Sequence, residues 1–196
     1  MVFENIPYLN NLSSYPRAFV IFFVLLILLR IGLYIVQRVF VKITSKTKSD
    51  LDDIILEKSN KPLTYIALLI SLVVALQDIS FESGVENIVF KILYSLLGIT
   101  IGYLVFHIAD LSLMRLWKNI SKQTDSNLDD TIGQLVHEVL RITLILIIGI
   151  FILNIWGVEI GPFLAGLGIA GLAVALALQP TLSNIFSGIS YDNPNI

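Results

Sequence analysis

Residues Phe163–Ser190 read FLAGLGIAGLAVALALQPTLSNIFSGIS. Glycine or alanine stands at nearly every second position up to Ala177, and most of the others are Leu, Ile or Val. In water, Gly168 and Gly171 would each cost a helix about 1 kcal/mol relative to alanine. In a bilayer the same residues let helices approach closely, because packing rather than hydrophobicity drives association there. Small residues on two flanks suit a ring of like helices, whereas one tight dimer needs a single stripe. Gly168, Gly171, Ala173, Ala175 and Ala177 are therefore the candidate packing positions. Leu172 and Leu176 lie four apart and share a helix face. In a ring they would form two stacked apolar collars, a constriction that stops ions by expelling water. Leucines facing lipid fit the same periodicity equally well.

The character changes at Gln179-Pro180. Proline lacks an N–H and clashes with the preceding turn, which predicts a kink or break. Beyond it, Thr181 to Ile189 is amphipathic, with Leu182, Ile185, Phe186 and Ile189 on one side. Such a half-helix suits the membrane surface.

The rest of the chain has the same solvent in mind. Of 196 residues, 56% are hydrophobic and 14% charged, with a mean hydropathy of +0.83. Soluble domains run nearer 45–50% apolar and about 25% charged. So much apolar surface must face lipid, which makes this an all-α membrane protein. The net charge of −2, without a long basic run, gives nucleic-acid binding no support. With no cysteine there is no disulfide, thiolate metal site or cysteine nucleophile. His107 and His137 are too scattered for a metal cluster, and no cofactor motif emerges. Gly166-x-Gly168-x-x-Gly171 matches a dinucleotide fingerprint only formally, since no strand precedes it.

A bilayer core about 30 Å thick needs about 20 apolar residues in helical form. Five stretches qualify, at about 17–41, 62–79, 88–113, 135–156 and 162–189. The first lacks a basic n-region and a cleavage site, so it reads as a retained helix. Pro62 suits the first turn of the second helix. Asn87 is a candidate cap for the third, and Gly157 a candidate terminator of the fourth. Lys and Arg concentrate between spans one and two (Arg38, Lys42, Lys46, Lys48, Lys58, Lys61) and between spans three and four (Arg115, Lys118, Lys122, Arg141). The opposite loops hold Glu82, Glu86, Lys91 and Glu159. Positive-inside asymmetry then predicts a multi-pass protein of the plasma or inner membrane, N-terminus outside and C-terminus cytoplasmic.

Ser49-Asp50-Leu51-Asp52-Asp53 recurs 77 residues on as Ser126-Asn127-Leu128-Asp129-Asp130. Each copy follows an apolar span with a basic end and precedes another. The chain divides into a first hairpin (1–80), a second hairpin (81–158) and a kinked fifth helix with a short tail (159–196). Both hairpins keep one orientation, so the repeat is parallel rather than inverted. The Asp pairs read best as first-turn residues that complement the helix macrodipole. A Ca²⁺ or Mg²⁺ site is the alternative, but the EF-hand spacing and its glycine are missing.

Among the ionisable residues inside spans, Arg30, His107 at the equivalent place in the second copy, and Asp110 one turn later stand out. Intramembrane charges are candidate functional groups by default. A structural partner or a lipid contact suits them better than proton transfer, since one His and one Asp do not make a relay.

Gly171-Leu172-Ala173-Val174, then Ala177-Leu178-Gln179, Leu182-Ser183-Asn184 and Gly188 together resemble the third helix of small-conductance mechanosensitive (MscS-type) channels. The likeness covers about 28 residues strongly, and the hairpins with their Leu-Asp-Asp loops more loosely resemble the extra spans of longer members. The resemblance implies a homo-heptamer in contact with membrane lipids, opened by tension and conducting small ions for osmotic protection. It implies no enzyme activity. Leu172 and Leu176 match the family's constriction, Gly171 and Ala173 its packing ridges, and Pro180 its kink, where a glycine is familiar. Ile169 and Ala175 stand where the pattern often has smaller residues. Family members continue into a β-domain and a cytoplasmic vestibule, whereas this sequence ends at Ile196. The alternatives are a secondary transporter drawing on Arg30, His107 and Asp110, and a non-conducting membrane subunit.

Overall fold

The computed structural model describes residues 13–44, 51–79, 81, 84–121 and 128–192. Five α-helices account for nearly all of them: α1 (Ser14–Thr44), α2 (Leu51–Leu76), α3 (Val85–Ser121), α4 (Leu128–Ile155) and α5 (Gly161–Asp192). No strand occurs among the described residues. Each helix contains a stretch long and apolar enough to cross a bilayer: Ser14–Val39, Lys58–Leu76, Val85–Leu113, Gly133–Ile155 and Gly161–Thr181. The protein is a multi-pass, all-α membrane protein.

Several helices outrun their apolar spans. α2 and α4 begin at the two Leu-Asp-Asp segments, so both Asp pairs occupy the first helical turn. That is where a carboxylate complements the positive end of the macrodipole. The Ser49-Asp50 and Ser126-Asn127 halves of the repeat lie outside the described residues. The early start of α2 also corrects the expectation for Pro62, which sits well inside that helix. The ring leaves the Lys58 carbonyl without its helical N–H partner, a loss tolerated where the proline lies at the apolar margin of the span. Asn87 likewise falls in the first turn of α3 rather than at its cap, because Gly84, with φ of 108°, already turns the chain ahead of Val85.

Gly157 ends α4 as the sequence predicts, adopting φ of 83°, a left-handed conformation that costs glycine nothing. Trp156, 46% exposed, stands at this span end, where amphipathic aromatic rings belong. α5 then opens with Pro162 in its first turn and with the Leu164 N–H donating to the Ile160 carbonyl at 3.0 Å.

Helices α1 to α4 make one unit in which each packs on the next: α1 on α2, α2 on α3, α3 on α4. The core of this unit is small and concentrates on α2. Ala67, Ser71 and Ala75 recur every four residues along it and are all buried. Small side chains at that spacing bring neighbouring backbones together without help from water. Ser71 is fully enclosed, and its hydroxyl donates to the Ala67 carbonyl at 2.8 Å, so the burial leaves no orphan polar group. Between α3 and α4 the same device is a Gly98-x-x-x-Gly102 pair. A Cβ built on Gly98 would come within 2.6 Å of the Phe151 ring, and one on Gly102 would collide with the side chain of Ile148. A larger residue at either position would force the Phe151 or Ile148 side chain to shift.

Candidate pore-lining helix and the charged contacts of the spans

α5 is a unit of its own. Every side chain from Gly161 to Thr181 is exposed, Leu172 to 66% and Leu176 to 65%. The two leucines lie one turn apart on a common face. Helical geometry sets Gly168, Gly171 and Ala175 along one border of that face, and Gly166, Ala170, Ala173 and Ala177 along the other. Leu167, Val174 and Leu178 fall on the opposite side. A Cβ built on Gly166, Gly168 or Gly171 meets nothing within 4 Å, so both small-residue borders are open in the single chain. Ile169, 70% exposed, lies beside the leucine face, where its bulk widens the apolar surface.

The helix does not break at Gln179-Pro180. It continues through the proline to Asp192. Pro180 withholds an N–H from the carbonyl four residues back, that of Leu176, which weakens the ladder at the second leucine.

The intramembrane charges each have different surroundings. Asp110 neighbours His107 on α3 but pairs with His137 on α4, Oδ1 to Nδ1 at 2.5 Å. His137 also meets the edge of the Phe106 ring at 5.7 Å. His107 stacks on Tyr103, centroids 5.9 Å apart and planes 7° from parallel. Arg30 is exposed and makes no ion pair among the described residues.

Two contacts escaped sequence reasoning. Arg17, in the first turn of α1, forks onto Asp78 in the turn after α2, with Nη2 donating to Oδ1 at 2.8 Å and Nε to Oδ2. No local pattern links residues 61 apart. The other was readable in principle. His137 is the repeat equivalent of Asn60, whose Oδ1 accepts a 3.4 Å hydrogen bond from Gln37 Nε2. One position of the repeat thus ties α2 to α1 and α4 to α3, with neutral groups in the first copy and ionisable ones in the second.

A double-mutant cycle on Asp110→Ala and His137→Ala in detergent is expected to return a coupling of about 0.5–3 kcal/mol. Additive losses of thermal stability would mean that the pair is incidental.

Residues 138–179 match the family described as mechanosensitive ion channel, transmembrane helices 2/3. That segment runs from α4 through both leucines of α5 to Gln179. The chain is 28% identical over 164 residues to an uncharacterized MscS family protein of Aquifex aeolicus, covering 84% of this chain and 44% of that protein. It is 28% identical over 155 residues to the small-conductance mechanosensitive channel MscMJ of Methanocaldococcus jannaschii, covering 79% and 44%. Against the large-conductance channel MscMJLR of the same organism, identity is 24% over 181 residues, covering 92% and 50%. The chain spans about half the length of the curated relatives it matches. No solved structure matches it significantly. The resemblance carried by α5 is borne out: residues 138–179 match the mechanosensitive channel family, and most of the chain is similar to MscS family proteins.

Proposed function

We propose that this chain is the transmembrane part of a tension-gated ion channel in which α5 helices from several copies line the pore. The observation that carries this reading is the surface of α5. An exposed leucine pair is bordered on both sides by open glycine and alanine stripes, inside the segment that matches the channel family. Each border suits a neighbouring copy of the same helix, and in a ring of seven the leucines turn inward. Leu172 and Leu176 then form the dry constriction, Gly168, Gly171, Ala173, Ala175 and Ala177 the packing surfaces, and Gln179-Pro180 the kink toward an interfacial half-helix.

The two hairpins present surface to lipid and pass the tilt of the membrane to α5. Tension does work in proportion to in-plane area, so it favours the wider, open state. The basic inter-span loops set the N-terminus outside and the C-terminus in the cytoplasm, and opening releases small ions under osmotic stress.

Patch-clamp recording from plain lipid vesicles holding the purified chain tests this directly. Pressure-activated current is expected, and its absence at lytic tension sinks the proposal. The mass of the detergent-solubilised particle gives a separate check. Seven copies are expected, whereas a monomer or dimer leaves no ring to enclose a pore.

A further inference from the structure

Arg30, Tyr34 and Arg38 stand four residues apart on α1 and so share one face of the helix. All three are exposed, Tyr34 to 59%. The Arg38 guanidinium carbon lies 5.7 Å from the centroid of the Tyr34 ring. The side chain therefore folds back one turn into the span, held by the electron-rich ring face, instead of reaching beyond the helix end. Arg30 lies a further two turns in, about 12 Å of helix from Arg38.

Both cations thus sit at membrane depth on a surface that faces outward from the unit. A guanidinium there is costly without a counter-charge. Among the described residues neither arginine makes an ion pair. The two carboxylates paired between helices are taken, Asp78 by Arg17 and Asp110 by His137. Beside the charged face runs an apolar ridge of the same spacing, Ile27, Ile31 and Ile35, exposed to 53%, 51% and 54%. A negative group flanked by two guanidiniums, with hydrocarbon alongside, is the chemistry of an anionic phospholipid.

We propose that Arg30 and Arg38 hold the phosphate of an anionic phospholipid between them, over the Tyr34 ring, with its acyl chains along the Ile27–Ile31–Ile35 ridge. With the orientation proposed above this lipid lies in the cytoplasmic leaflet; the lipid chemistry does not rest on that orientation. Two guanidiniums give bidentate contacts to phosphate oxygens, which a lysine pair would not. The isoleucine ridge separates a lipid from a free anion, since only a lipid gains from it.

The test is native mass spectrometry of the full chain, solubilised in mild detergent and supplied with phosphatidylglycerol or phosphatidylcholine. Phosphatidylglycerol is expected to be retained in preference. Arg30→Gln and Arg38→Gln are each expected to lower that retention about fivefold. Lys58→Gln, which removes an exposed cation from α2, is expected to leave it unchanged. Retention unaffected by both arginine changes overturns the site, and equal loss on Lys58→Gln overturns it in favour of diffuse charge. Inorganic phosphate that displaces the lipid identifies a free-anion site instead. If the arginine changes split the particle into smaller masses while lipid stays bound, the counter-charge is a carboxylate of a second copy, and the lipid site is lost. None of these outcomes depends on conductance, so they stand or fall apart from the channel reading.

Discussion

Replacing Leu172 and Leu176 together by serine is expected to lower sharply the tension at which current appears. Each leucine favours an apolar setting by about 2 kcal/mol, and serine abolishes that preference. In a ring the change counts once per copy, so a collar that expelled water becomes one that holds it. A wetted constriction no longer separates closed from open by a dewetting barrier. The measurement is the pressure threshold relative to an unrelated channel in the same patch. If both leucines faced lipid, the threshold would stay where it was, and the constriction would have to be sought elsewhere on α5. Leu167→Ser with Leu178→Ser, on the opposite side of the helix, provides the matched control.

The second large effect belongs to the peripheral unit. Gly102→Leu is expected to destabilise the packing of α3 on α4 by about 3 kcal/mol, the upper end of what overpacking usually costs. Even the first carbon of a side chain there would collide with Ile148, and one on the neighbouring Gly98 would meet the Phe151 ring. The helices must separate or Ile148 must abandon its rotamer. Thermal unfolding in detergent should show the loss, and Ile148→Ala in the same chain should recover part of it. Gly32→Ala on α1 is the contrast, because an added Cβ there meets nothing within 4 Å. It should be neutral or gain slightly, as alanine is the better helix former. Equal melting temperatures for Gly102→Leu and the parent chain would show that the close approach carries no weight.

Much of the candidate site was legible because its signals are local. The leucine pair and its small-residue borders follow from spacing alone, once the segment is helical. Gly157 announced the end of α4 for the same reason, since a left-handed residue after an apolar helix is a one-residue signal. Pro62 misled because a proline beside the start of an apolar run looks like a helix start. The helix had in fact begun at Leu51, in polar sequence ahead of the membrane. The Gly98–Gly102 spacing was present in the sequence too, but a glycine pair does not say which neighbour it admits.

The sequence by itself determined the solvent, the number of spans and the make-up of the helix that carries the channel resemblance, because hydropathy and helical period are properties of consecutive residues. The tertiary structure alone decided which charges meet. Asp110 passed over His107, one turn away on its own helix, for His137 across the helix pair, and Arg17 found Asp78. It also left Arg30 without an ion pair among the described residues. Inside a membrane a charge takes whatever counter-charge packing brings near. That depends on how α1 to α4 are rotated against one another, which no run of consecutive residues records.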